Sequence, residues 1–283
     1  MSNQKAKKWL PYILTAPSLV IVLVFVVYPI SSSVLRSFRN RETGSFTFEH
    51  YQYFLTDPLQ RANILYTLEI VLWTILFTIV ASYFLAIYLR FSKSRISKWM
   101  GMLTLLPRFI PGMVAVYSVI LVIRDSGVLN RVGLLFGQEW KLGWMFNEKG
   151  IILMNLWFSI PFATLIIFAA LSGIQDSIIE SAKDVGASKW QIFRSMILPL
   201  SYKDGIVATT FIFLGNVGSF TTPFLMGGNS PKMLGIALYD QFNSYMDYER
   251  AAALSVIMFL ICSFSAVVYI YTNLKEQEWE KGR

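Results

Sequence analysis

The sequence predicts an all-α membrane protein with six transmembrane helices, and three observations predict it. Of 283 residues, 55% are hydrophobic and only 15% charged, where a soluble domain carries roughly 25% charge; mean hydropathy is +0.51. The apolar residues gather into six runs, at about residues 10–35, 64–89, 99–123, 151–171, 205–226 and 251–273. Each is long enough, at about 1.5 Å per helical residue, to cross roughly 30 Å of hydrocarbon. The runs are continuous rather than alternating, which excludes barrel strands. Backbone groups in lipid need partners within their own segment, which selects helices. Residues 1–283 then read as a single transmembrane domain.

The first run follows Lys5, Lys7 and Lys8 in the manner of a signal peptide. Its apolar stretch exceeds the roughly 7–15 residues such peptides use, and Arg36 follows without a small-x-small cleavage pattern, so it reads as a retained span. The second run holds Glu69 about one and a half turns from its outer end. The third holds Pro107, Pro111 and Arg108, the last about ten residues from the inner end and so near the midplane. Intramembrane charge is costly and often functional. Glu69 and Arg108 could pair across neighbouring helices, or Glu69 could reach the nearer interface.

Prolines at 107, 111, 161 and 223 free backbone groups that are tolerated only against protein or a water-filled cavity. Asn155, Trp157 and Ser159 in the fourth run, and Asn216, Ser219, Phe220, Thr221 and Thr222 in the fifth, are the candidates for lining such a path. The competing reading is that these polar groups knit helices together, with Gly215 and Gly218 permitting close packing. Trp9, Tyr12, Tyr28, Trp99, Trp144 and Tyr271 near run ends read as interfacial anchors.

Orientation follows from the basic residues. With the N-terminus inside, the inner segments hold Lys5, Lys7, Lys8, Arg90, Lys93, Arg95, Lys98, Lys183, Lys189, Arg194, Lys203, Lys275, Lys281 and Arg283, fourteen in all. The outer segments hold ten, and the excess favours both termini inside. The net charge of +8 is thereby accounted for without nucleic acid. Cys262 is the single cysteine, so no intramolecular disulfide forms, and it reads as a small buried hydrophobe. His50, the single histidine, lies in a polar loop, and no metal cage or Ser-His-Asp site is available to it.

The inner connection at residues 172–203 is the distinctive segment. Ser177 and Glu180 fit a capping box, as do Ser188 and Gln191. Gly186 suits the left-handed residue that closes a helix, and Pro199 is expected to stop the second helix. Ile178, Ile179, Ala182 and Val185 form an apolar stripe on the first helix, and Trp190, Phe193 and Ile197 recur on the second. Exposed apolar side chains there imply a partner surface. A DNA-binding helix-turn-helix has the same outline, but spans flank this one closely and its charge is near balanced. A hairpin lying on the membrane without a partner is the third alternative.

Glu180-Ser181-Ala182, Asp184, Gly186-Ala187, Phe193 and Ile197-Leu198-Pro199 resemble the EAA loop of permease subunits in binding-protein-dependent ABC importers. The family spacing from Gly186 to Leu198-Pro199 is kept, while Ser181 and Met196 depart from the usual Ala and Ile. Gly127-Val128-Leu129-Asn130 is similar to the family's G-x-L-N. The stretch Gly215 to Gly228 (GNVGSFTTPFLMGG), Met233-Leu234-Gly235 and Ala251-Ala252-Ala253-Leu254-Ser255 look most like the spermidine/putrescine-type permeases.

The resemblance implies a non-catalytic transport subunit of the bacterial inner membrane that couples to ATP hydrolysis through residues 172–203. It implies a second permease subunit (a paralogue), two ATP-binding subunits that hold ATP and magnesium, and an external substrate-binding protein. It also implies a polyamine as cargo, with sugar, ferric iron and phosphonate as alternatives; Asp240, Asp247 and Glu249 near the outer surface would suit a cation. The chain itself lacks G-x-x-x-x-G-K-S/T and so has no P-loop for ATP. A stand-alone secondary transporter would need internal repeats and midplane carboxylates, and neither is visible.

Overall fold

Proline positions decide much of the helix layout. In the computed structural model, which describes the backbone of residues 2–281 and the side chains of residues 12–272, α1 (Ser2–Val22) passes through a π-helical turn, Leu23–Val27, into α2 (Tyr28–Ser37). The Tyr28 amide donates to the Leu23 carbonyl five residues back, and Pro29 follows in the first turn of α2. Widening the turn before the proline lets the helix continue past a residue that cannot donate. The basic residues of both ends, and Trp9, lie outside the described side chains.

A short α3 (Glu49–Thr56) precedes α4 (Pro58–Phe91), whose start is held by the Asp57 carboxylate accepting from the Leu59 and Gln60 amides at 3.0 Å each. The Ser94 hydroxyl caps α5 (Arg95–Leu105) by accepting from the Ser97 amide. The run read as one helix over 99–123 is broken: a 3-10 turn at Leu106–Phe109 and the extended residues Ile110 and Pro111 separate α5 from α6 (Gly112–Ile123). Pro111 disfavours helical backbone at the residue before it. The stretch long and apolar enough to span here is Gly112–Leu135, which takes in α7 (Val128–Leu135).

The Asn147 side chain caps α8 (Glu148–Ser172), which keeps Pro161 in its interior. Beyond it come α9 (Asp176–Asp184) and α10 (Lys189–Ile192), then a second π-helical turn at Phe193–Ile197 that leads into α11 (Leu198–Val217). Pro199 therefore does not stop the helix as expected. It occupies the first turn of α11 after a widened turn, as Pro29 does in α2. The fifth run also ends earlier than read, at Val217. Residues 221–226 are a separate helix, α12 (Thr221–Met226), followed by α13 (Leu234–Tyr239) and the long α14 (Tyr248–Lys281).

Six helical stretches are long and apolar enough to cross a membrane, and no strand occurs among the described residues. The chain divides into two compact units. One comprises Met1–Gln60 with Leu238–Phe259 and the other Arg61–Ala237 with Leu260–Arg283.

In the first unit, Arg36 Nε donates to Glu249 Oε1 at 3.1 Å while its guanidinium lies 5.3 Å from the Tyr248 ring centroid. His50 is not a loop residue: it lies in α3, buried, with Nε2 3.0 Å from the Arg39 carbonyl. In the second unit α8 packs most extensively on α11. Gly205 permits the approach of α4 to α11, because a Cβ there would lie 2.8 Å from the Tyr83 hydroxyl, which donates to the Ser201 carbonyl at 3.1 Å.

Candidate functional site: a helical hairpin and a polar cavity

Helices α9 and α10 form a hairpin anchored from below by one arginine. Arg90, at the end of α4, donates to the Leu171 and Ile174 carbonyls at 3.2 and 3.0 Å and to Asp176 Oδ1 at 2.8 Å. It thus satisfies carbonyls left over at the end of α8 and fixes the first residue of α9. Gln175 precedes α9 without a side-chain cap, so Ser177 lies inside the first turn and the capping box expected with Glu180 is absent. Asp176 already supplies the negative charge this helix end favours.

At the other end α9 closes in a Schellman turn. Gly186 has φ +81°, its amide donates to the Lys183 carbonyl at 2.9 Å, and the Ala187 amide donates to the Ala182 carbonyl at 3.0 Å. The capping box at Ser188 and Gln191 is present in both directions.

Burial splits the apolar stripe in two. Ile179, Ala182, Ile192 and Ile197 are buried in a cluster with Tyr83, Ala86, Ile167, Leu171 and Ile174. Val185 and Trp190 point away, 84% and 65% exposed, flanked by the exposed Glu180, Ser181 and Asp184. Phe193 is half-buried, edge-on to Tyr83 and 5.5 Å from the Trp190 ring centroid. Leu198 and Pro199 are exposed at the start of α11. Of the residues in the EAA-like pattern, Ala182 and Ile197 are thus anchors, whereas Glu180, Ser181 and Asp184 are surface.

The second feature is a cavity of about 240 Å³ among the 3-10 turn, α8, α11 and the start of α12. Arg108, Asn155, Ser159, Asn216, Ser219 and Thr222 supply its polar lining. Phe158, Phe162, Phe211, Ile212 and Gly215 also line it, and sequence reasoning missed them. The signal was there: positions 155, 158, 159 and 162 follow one helical face, as do 212, 215, 216 and 219.

The Arg108 guanidinium lies 5.4 Å from the Phe162 ring centroid, a cation–π contact, and has no ion-pair partner among the described residues. Asn155 is 3% exposed and its amide nitrogen has no hydrogen-bond partner in the structure. Asn216 instead donates to the Ile212 carbonyl within its own helix, at 2.7 Å.

The remaining candidates fall elsewhere. Glu69 is exposed on α4, off the cavity and not paired with Arg108. Trp157 is 40% exposed, outside the cavity lining. Phe220 stacks on Phe224 with ring centroids 5.1 Å apart, and Thr221 opens α12, both off the lining. Gly215 has open space where a Cβ would be, so it borders the cavity and does not serve packing. Trp144, read as an anchor, is half-buried against the cluster of Ala115, Val116, Met154 and Met226.

Six stretches able to span a membrane, a small polar cavity beside two of them, α8 and α11, and an exposed hairpin between the fourth and fifth are the features of a membrane transport subunit. Residues 78–279 match the family described as binding-protein-dependent transport system inner membrane component, and the chain belongs to that family. It is a permease subunit of an ABC importer. It is 25% identical over 254 residues to the spermidine/putrescine transport system permease protein PotB of Escherichia coli strain K12, covering 88% of this chain and 92% of that one. It is 26% identical over 281 residues to the galactooligosaccharides transport system permease protein GanP of Bacillus subtilis strain 168, covering 88% of this chain and 66% of that one. Among solved structures it matches a chain of a bacterial alginate ABC transporter in complex with alginate pentasaccharide-bound periplasmic protein, with a TM-score of 0.79, 19% identity and coverage of 94% and 95%.

Proposed function

We propose that the chain forms half of the solute pathway of an importer and that residues 172–203 are its handle for an ATPase. In this reading both termini and the hairpin are cytoplasmic, a paralogous permease supplies the other half, and two ATP-binding subunits hold ATP and magnesium. An external binding protein delivers the cargo, and the chain itself carries no catalytic group.

The support is physical. A coupling element has to pass on a rigid-body movement, and this one is stiffened by the Arg90 fork, a Schellman turn and a capping box while it presents Val185 and Trp190 outward. Retention of the cognate ATPase through detergent purification tests the reading. Solitary, proton-coupled transport by the isolated chain would refute it.

The cargo that fits the cavity best is a hydroxyl-rich solute, neutral or acidic, such as an oligosaccharide. One observation carries this: Arg108 is the single charged residue of the lining, and no carboxylate joins it. A polycation would meet a guanidinium that no carboxylate of the lining compensates. Phenylalanine faces beside amide and hydroxyl groups are, by contrast, the chemistry of a polyol site.

Two of the three acids that would suit a cation are engaged by arginines. Glu249 is held by Arg36, and Asp247 lies 3.6 Å from Arg250 Nε and accepts from its amide. The polyamine reading keeps the support of residues 221–228 and of the relative named for spermidine and putrescine.

Calorimetry of the cognate binding protein against spermidine, putrescine, oligosaccharides, phosphonates and ferric iron separates these readings. Heat with an oligosaccharide and none with spermidine is the expected result. In reconstituted transporter, Arg108→Glu should abolish uptake of that cargo. Strong heat with spermidine would overturn the assignment.

A further inference from the structure

A second cavity, of about 400 Å³, opens where the end of α4, the face of α5 and the middle of α8 meet. It is graded in polarity. Lys93 and Lys98 stand at one end with Ser92, and the rest is more apolar, with Leu105, Leu165 and Phe168 beside Thr104. Leu105 lies seven positions beyond Lys98, about 10 Å along the helix.

Both lysines are exposed and, among the described residues, make no ion pair, whereas Arg90 one turn earlier is fully engaged. No carboxylate lines the groove. Deeper in the wall, Thr164 is 2% exposed and its hydroxyl has no hydrogen-bond partner. Because Arg90 binds the Leu171 carbonyl, Thr164 lies about two turns of α8 below the basic end.

We propose that this groove holds one anionic phospholipid. The phosphate sits on Lys93 and Lys98, and the Thr164 hydroxyl donates to an ester carbonyl of the glycerol. One acyl chain then lies along Gly101, Leu105, Leu165 and Phe168. Charge complementarity selects this occupant: two free cations at the mouth of an apolar groove fit a headgroup that carries its chain with it, and basic pockets between membrane helices take such headgroups. The site is independent of the cargo and of the ATPase, and needs only the membrane placement of the chain.

The test is native mass spectrometry of the purified transporter offered phosphatidylglycerol and phosphatidylcholine with the same acyl chains. The wild type is expected to retain phosphatidylglycerol preferentially. Lys93→Gln and Lys98→Gln should each cut that preference about fivefold. Gly101→Leu, whose Cβ would make an ordinary 3.7 Å contact with Leu89 Cδ2, should expel both lipids while size-exclusion behaviour is unchanged. If Gly101→Leu does not assemble, the lysine variants decide alone, since both side chains are exposed. Equal retention of the two lipids, an undiminished preference in the double lysine variant, or competition by soluble glycerol phosphate as effective as by the lipid would each overturn the site. So would cross-linking of Gly101→Cys to a second permease chain, which would mean that protein covers the groove.

Discussion

Gly186 combines a left-handed backbone with an open surrounding, since beyond its chain neighbours no heavy atom lies within 4 Å of where a Cβ would be. Substitution therefore acts through the backbone alone, at a cost of about 1–2 kcal/mol for a residue that avoids this conformation. Gly186→Asn should keep most transport, because Asn tolerates that region, while Gly186→Val should lose it at unchanged membrane abundance. Uptake assays with quantitative blotting separate the two, and equal uptake would dismiss the turn as a coupling element. Gly215 is the opposite case, a glycine whose missing side chain leaves room in the cavity. Gly215→Phe should plug it, blocking uptake without lowering abundance or thermal stability. Unimpaired uptake would exclude the cavity from the path.

At this scale the polar lining was legible, because Asn155, Ser159, Asn216 and Ser219 interrupt apolar runs. The phenylalanines were not, because an aromatic residue in an apolar run looks like its neighbours. Glu69 was misleading for a related reason: rarity of charge in a span marks a residue but does not say which way it faces.

Among elements, the hairpin divides its apolar residues between core and surface, and the two groups predict different failures. Ile179→Asp buries a carboxylate in a filled cluster and should reduce membrane abundance, by the roughly 1–3 kcal/mol or more that an unpaired buried polar group costs. Val185→Asp and Trp190→Asp change exposed positions, and should leave abundance and thermal stability alone while the ATPase is lost on purification. Retention of the ATPase by both surface variants would place the contact elsewhere.

Element existence was legible from hydropathy, and the turn at Gly186 and the cap at Ser188 from local chemistry. What failed was punctuation by proline. Pro199 reads as a stop, yet a widened turn carries the helix past it, whereas at Pro111 the chain does break. The two cases differ in the hydrogen bonding of the preceding turn, which sequence spacing does not encode. The cap expected at Ser177 failed because Arg90, far away in sequence, supplies the contact that fixes the helix start.

For the molecule as a whole, the order of spans and the position of the hairpin between the fourth and fifth were legible, while the break in the third span came only with the backbone. Sidedness links the elements to function. An ATPase-driven element works only from the cytoplasmic side, and the placement of fourteen basic residues against ten is what the sequence offers for it.

The most direct measurement is accessibility labelling of Lys189→Cys in a Cys262→Ala background, with a membrane-impermeant maleimide. The account predicts no labelling in intact cells and full labelling in inside-out vesicles. Labelling of intact cells at the rate of an outer-loop control would put the hairpin beyond reach of any ATPase and contradict the account.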